Sequence, residues 1–159
     1  MSSDGLIIFG GFVVLFIVFF IHGKRQLQKN IQAGKQFLNQ NKQHSNVHTT
    51  QSGLQYQFLE HAKPQEQTLL PRADSTVTVH YHGTLLDGTV FDSSEARNEP
   101  ISFRLDRVIA GWGEGLQLMQ SGDKVRFFIP QHLAYGTRKI GNIPPGSTLI
   151  FDVKLISFH

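Results

Sequence analysis

The chain has 159 residues, room for one ordinary domain and an extension, and its 15 Lys and Arg against 12 Asp and Glu give a formal net charge of +3. The charge is uneven: residues 1–50 carry Lys24, Arg25, Lys29, Lys35 and Lys42 against Asp4 alone, and residues 51–159 are close to neutral. The larger part therefore has no basic surplus to suggest nucleic-acid binding, and the lack of cysteine excludes disulfides, thiolate nucleophiles and thiolate metal sites.

The first feature along the chain is "GLIIFGGFVVLFIVFFI", Gly5 to Ile21, without a charged or strongly polar side chain. As a helix it would reach roughly 25 Å, the short end of what spans a hydrocarbon core. Asp4 precedes it and "HGKRQLQK" follows it. A cleaved signal peptide would show the opposite order, with positive charge ahead and a small-residue cleavage site behind. Residues 1–23 are therefore expected to be a retained transmembrane anchor, with a signal peptide or a buried helix as alternatives. Positive flanks favour the cytoplasmic side. The expectation is a single-pass protein of the inner (cytoplasmic) membrane with its C-terminal domain in the cytoplasm; a periplasmic domain is the alternative.

Residues 24–50 are rich in Gln, Asn and Lys, with Leu27, Ile31 and Leu38 at loose helical spacing. No heptad pattern persists over three repeats. The segment reads as a polar, basic, partly helical stem that links the anchor to residues 51–159.

From Ser52 the pattern becomes that of strands. "SGLQYQFLE" alternates Leu54, Tyr56 and Phe58 with glutamines, and "STVTVHYHGTLL" sets Val77, Val79 and Tyr81 on one face with His80 and His82 on the other. "DGT" at Asp87–Thr89 signals a tight turn before Val90 and Phe91. "EPISFRL", "DKVRFFIP" and "STLIFDVKLISF" read as further strands, and one short helix is expected from about Ala110 to Met119. One helix against several antiparallel strands is an α+β domain. Trp112 is the only tryptophan, and Gly111 and Gly113 beside it are expected to leave the indole bare. Tyr81, Phe91, Trp112, Tyr135 and Phe151 are either all core or the walls of a pocket. His44 and His48 lack a third ligand nearby, and His80 and His82 lie on the strand face turned away from the other rings, so neither pair is read as a metal site.

"VTVHYHGTLLDGTVFDSS", "VIAGWGEGLQLM", "LAYG" and "IPPGSTLIFDVKLISF" together resemble, in order and spacing, the FKBP-type peptidyl-prolyl cis-trans isomerases, over about Gly53 to Phe158. In particular the chain looks like a bacterial, membrane-anchored member. The resemblance implies an antiparallel five- to six-stranded sheet curled around one short helix, with an apolar pocket between them. It implies that Trp112 is the pocket floor, that Tyr81, Phe91 and Phe151 enclose a proline ring, and that Phe103, Val108, Ile109 and Ile143 complete the wall. Tyr135 would bond a substrate carbonyl through its hydroxyl, as Ile109 would through its backbone N–H. Asp92 would be the wall carboxylate, paired with Arg97.

The sequence departs from the family pattern at Ile101, where many members have an aromatic, and at Asn142, where an aliphatic is common. The implied activity is rotation about Xaa–Pro bonds in protein substrates, assisting folding near a membrane, with no cofactor or metal and no covalent intermediate. The implied partners are proline-containing polypeptides and macrolide immunosuppressant-type inhibitors. The alternative is an FKBP-like binding or chaperone module that holds such segments with little turnover.

Overall fold

Alternation of apolar and polar residues is what a strand buried on one face requires, and it organises the C-terminal part of the molecule. The computed structural model describes the backbone of residues 4–63 and 69–159, and the side chains of residues 23–63 and 69–159. In chain order the elements are α1 (Asp4–Asn41), β1 (His48–Thr49), β2 (Gln55–Glu60), β3 (Thr76–Leu85), β4 (Val90–Ser93), α2 (Ser94–Arg97), β5 (Ile101–Arg104), α3 (Ala110–Gly115), β6 (Lys124–Ile129) and β7 (Leu149–Phe158), with short 3-10 turns between some of them. The strands pair antiparallel in the order β1-β2-β6-β7-β3. The far edge of β3 is shared: Thr76–Val79 pair with β5, and His82–Thr84 pair with β4.

The architecture is α+β, and the expected five or six curled strands need correction. Among the described residues there are seven strands in an open sheet, whose end strands, β1 on one side and β4 with β5 on the other, do not pair with each other. The ten-residue β3 is long enough to take two short partners on one edge.

The core lies between α3 and one sheet face. Val77, Val79, Val125, Phe127, Val153 and Leu155 are buried there, with Trp112 from α3 and Leu116 and Met119 just after it. The helix sits very close to β6. A Cβ added at Gly111 would lie 2.5 Å from Ile129 Cγ2, and one at Gly115 would lie 2.5 Å from Phe127 Cε1. Gly113 faces the Leu105 carbonyl, which a Cβ would approach to 3.2 Å. These glycines therefore permit close approach of backbone to neighbours, and do not serve to strip cover from the indole.

The opposite sheet face is covered at its β2–β6 end by α1. Between Gly23 and Asn41, the residues that are not exposed are Leu27, Asn30, Ile31, Gly34, Phe37, Leu38 and Asn41, one stripe at helical spacing. Phe37 meets Phe128 with ring centroids 5.8 Å apart. Asn41 Nδ2–H donates to Gln55 Oε1 at 2.8 Å, and Gln55 Nε2–H donates to the Leu38 carbonyl at 2.9 Å. Residues 24–41, part of the segment expected as a polar, partly helical stem, are helical throughout and lie packed on the domain.

The transmembrane anchor expected at residues 1–23 is also corrected, and with it the inner-membrane placement and the membrane as a partner. Among the described residues no helix is long and apolar enough to cross a membrane. The helix that carries the apolar run does not stop at Ile21 but continues through Lys24, Arg25 and Lys29 onto the sheet. Residues 1–3 and the side chains of 4–22, on which that expectation also fell, lie outside the described residues.

Candidate active site

Strand pleating sends alternate side chains to one face, so Tyr81 of β3, Phe103 of β5 and Phe151 of β7 can converge over α3. Trp112 meets all three edge to face, at centroid distances of 5.3 Å to Tyr81, 5.5 Å to Phe103 and 5.2 Å to Phe151. Phe91 of β4 adds a further edge-to-face contact with Phe151, at 5.2 Å. Such pairs hold rings in fixed relative orientation.

The rings surround a cavity of about 490 Å³. Its lining includes Tyr81, Phe91, Asp92, Phe103, Val108, Ile109, Trp112, Tyr135, Ile143 and Phe151, so all ten expected site residues face one space. Trp112 is only 5% exposed, yet it forms part of that lining. Its Nε1 is buried with no hydrogen-bond partner among the described residues. Ile101 is not in the lining; it packs against the core and pairs with Val79.

One polar cluster stands at the wall. The Tyr81 hydroxyl donates to Asp92 Oδ2, Arg97 Nη1–H donates to Asp92 Oδ1 at 2.7 Å, and Arg97 Nη2–H reaches the Tyr81 oxygen at 3.4 Å. Arg97 is presented by α2, whose first turn is capped by Ser93 Oγ accepting from the Ala96 N–H at 3.1 Å. Burial works to raise the Asp92 carboxyl, but the hydrogen bonds from Tyr81 and Arg97 and the guanidinium charge outweigh it and hold the group below its ordinary value. Burial, and then the Asp92 carboxylate, push the Tyr81 phenol up. The pair therefore stays as carboxylate and neutral hydroxyl around neutral pH.

Four lining residues were not picked out as site residues from the sequence: Arg107, Ile140, Gly141 and Asn142. In the sequence Asn142 stands out only as a departure from the family pattern. Arg107 directly precedes Val108, and its position in "DRVIAGW" was the available signal. Gly83 was also missed. A Cβ there would fall 2.7 Å from Phe91 Cε2 and 2.8 Å from Phe151 Cε1, so its bareness makes room for two wall rings. It lies two residues beyond Tyr81, on the same strand face.

This fold and site define a class: an α+β protein with a ring-walled, largely apolar cavity between its sheet and its short helix. Among the described residues, no Ser, Thr, Cys, His or Lys lines that cavity. The sequence model described as FKBP-type peptidyl-prolyl cis-trans isomerase matches residues 67–156, and that of the domain amino terminal to FKBP-type peptidyl-prolyl isomerase matches residues 21–58. The chain belongs to the FKBP-type peptidyl-prolyl cis-trans isomerases.

It is 46% identical over 131 residues to the FKBP-type peptidyl-prolyl cis-trans isomerase FkpA of Aeromonas hydrophila, covering 82% of this chain and 47% of the relative. It is 44% identical over 134 residues to the FKBP-type 22 kDa peptidyl-prolyl cis-trans isomerase of Escherichia coli, covering 84% of this chain and 63% of that one. The chain spans about half the length of the FkpA relatives it matches. The crystal structure of FkpA from Escherichia coli superposes with a TM-score of 0.88 at 36% identity, covering 99% of this chain and 73% of that one. That of a peptidyl-prolyl cis-trans isomerase from Pseudomonas syringae gives 0.74 at 34% identity, over 83% of this chain and 95% of that one.

Proposed function

We propose that the chain accelerates cis–trans rotation about Xaa–Pro bonds in other polypeptides and so assists their folding, with residues 51–159 as the isomerase domain. The observation that carries this reading is the convergence of five rings, Tyr81, Phe91, Phe103, Trp112 and Phe151, on one cavity beside the Tyr81–Asp92–Arg97 cluster.

The uncatalysed rotation faces a barrier of about 18–20 kcal/mol, which is the lost resonance of the planar amide. The planar bond is more dipolar than the twisted one. An apolar, water-poor cavity therefore disfavours the ground state relative to the transition state, and no bond to the enzyme is needed. Trp112 supplies the floor, with Tyr81, Phe91 and Phe151 around the pyrrolidine ring. Phe103, Val108 and Ile143 extend the apolar wall. The Tyr135 hydroxyl and the Ile109 N–H hold substrate carbonyls, so that the chain on one side of the bond is fixed while the other turns. Asp92 steers Tyr81 against the ring.

The test uses the full chain and a peptide with a large apolar residue before proline, following exchange between its two isomers. Acceleration is expected, and Phe91→Ala should lower it by at least about tenfold, equivalent to about 1.4 kcal/mol of transition-state stabilisation. A peptide that binds while its exchange rate stays at the uncatalysed value would replace this reading with a holding function.

A further inference from the structure

The segment from Tyr135 to Gly146 forms a small hairpin over the cavity. Its base is closed by the Gly146 N–H donating to the Gly136 carbonyl at 2.8 Å. Near its tip Ile140 and Ile143 exchange backbone hydrogen bonds of 3.1 and 2.8 Å, and Gly141 turns the chain at φ +52. Ile140, Gly141, Asn142 and Ile143 all line the cavity, so the height of the tip decides how closely they touch an occupant.

The base is held from outside the sheet, by α1. Asn30 Nδ2–H donates to the Pro145 carbonyl at 2.8 Å, and Gln26 Nε2–H donates to Asn30 Oδ1 at 2.8 Å. The second bond orients the first: it turns the Asn30 carbonyl towards Gln26 and leaves the N–H for the loop. Beside it, Gly146 adopts φ +75, and a Cβ there would lie 2.8 Å from Leu27 Cδ1 and 2.9 Å from Ile31 Cγ1. Helix side chains therefore rest directly on loop backbone. Between base and tip stand Pro144 and Pro145, whose rings fix φ and stiffen the connection.

We propose that Asn30 is a positioning residue for substrate: through Pro145 it fixes the base of the Tyr135–Gly146 hairpin and thereby sets the tip over the cavity. Among the described residues none of α1 lines the cavity, so Asn30 acts on an occupant indirectly, through its bond to the Pro145 carbonyl of the loop. The inference rests on the isomerase reading for the nature of the occupant, an apolar residue followed by proline. Losing the Asn30 donor frees the tip, weakens the hold on that occupant and leaves the floor and ring walls intact. Affinity falls, and the rate of rotation in the filled cavity does not.

Trp112 is the sole tryptophan and lies on the cavity floor, so its fluorescence reports occupancy in the full chain. The experiment titrates a Leu-Pro peptide into the wild type and into Asn30→Ala, Asn30→Asp and Asn30→Gln, with exchange kinetics at saturating peptide and a thermal melt for each. Asn30→Asp keeps the shape but offers only acceptors; Asn30→Gln keeps a donor. The expected result is a Kd raised about threefold to tenfold in the Ala and Asp variants, the effect of one hydrogen bond, with partial recovery in Gln and an unchanged turnover at saturation. The amide resonances of Gly141 and Asn142 should move with it.

A Kd weakened by less than about twofold in both Ala and Asp variants would overturn the proposal. Equal weakening in Asp and Gln would do so too, since the donor would then be irrelevant. Peptide that binds the wild type without faster exchange removes the isomerase reading alone, and the Kd comparison still decides the role of Asn30. A wild type that does not bind the peptide removes both.

Discussion

Asp92 is the most heavily engaged polar side chain at the cavity wall, accepting from Tyr81 on one oxygen and from Arg97 on the other. Its carboxyl is held below the ordinary 3.8, so folding favours the ionised form. The sign follows by linkage. The contribution of this cluster to stability is complete above the ordinary value and is lost as the pH falls through the lower folded one. Comparing unfolding midpoints of the wild type and Asp92→Asn should therefore give a difference that is constant from about pH 5 to 8 and shrinks below about pH 4. A difference that persists unchanged in acid would mean that the charge of Asp92 is not what the cluster uses. The Tyr81 phenol, raised by burial and then by Asp92, remains a hydrogen-bond donor throughout this range.

At the scale of elements, the contact of α3 with β6 depends on glycine where any side chain would collide. Gly115→Ala places a methyl 2.5 Å from Phe127 Cε1 in a fully buried site. It should cost about 1–3 kcal/mol of stability in urea unfolding, as overpacking does. In a Phe127→Leu background the same substitution should cost less, because the ring edge it strikes is gone; equal costs in both backgrounds would show that the collision is relieved elsewhere. The strands and this helix were legible because each carries its burial in its own spacing: Val77, Val79 and Tyr81 alternate, and Leu116 and Met119 follow the helix. The cavity rings were legible only through the family resemblance, since Tyr81 and Phe151 on an inner face fit a filled core equally well. The docked stripe of α1 was not legible, because Asn30, Gly34 and Asn41 occupy positions where hydropathy reading looks for Leu or Ile. Gly34 is needed there because a Cβ would overlap the Thr148 side chain, and Asn41 because Gln55 is buried and must be satisfied. The two-residue β1 is too short to show any period.

For the molecule as a whole, the decisive point is that the sheet is covered on both faces where β2 and β6 meet. Phe127 faces α3, while the next residue, Phe128, faces Phe37 of α1. Both faces of one strand are thus filled, and α1 should unfold with the domain and not ahead of it. Two substitutions in the full chain probe this. Asn41→Ala strands the Gln55 side-chain oxygen in a buried site, which should cost about 1–3 kcal/mol. Phe37→Ala removes a half-buried ring from Phe128 and should cost about 1–2 kcal/mol. The readout is the fluorescence of Trp112, which lies on the other side of the sheet from both positions. Because that probe does not touch α1, a lowered urea midpoint with an unchanged slope would mean that helix and domain share one cooperative transition. If the tryptophan transition stayed in place while helical signal was lost at lower urea, α1 would be a separate unit resting on the domain. A helix that melts on its own could not hold the cavity hairpin at fixed height, so this outcome would bear directly on the positioning role proposed for Asn30.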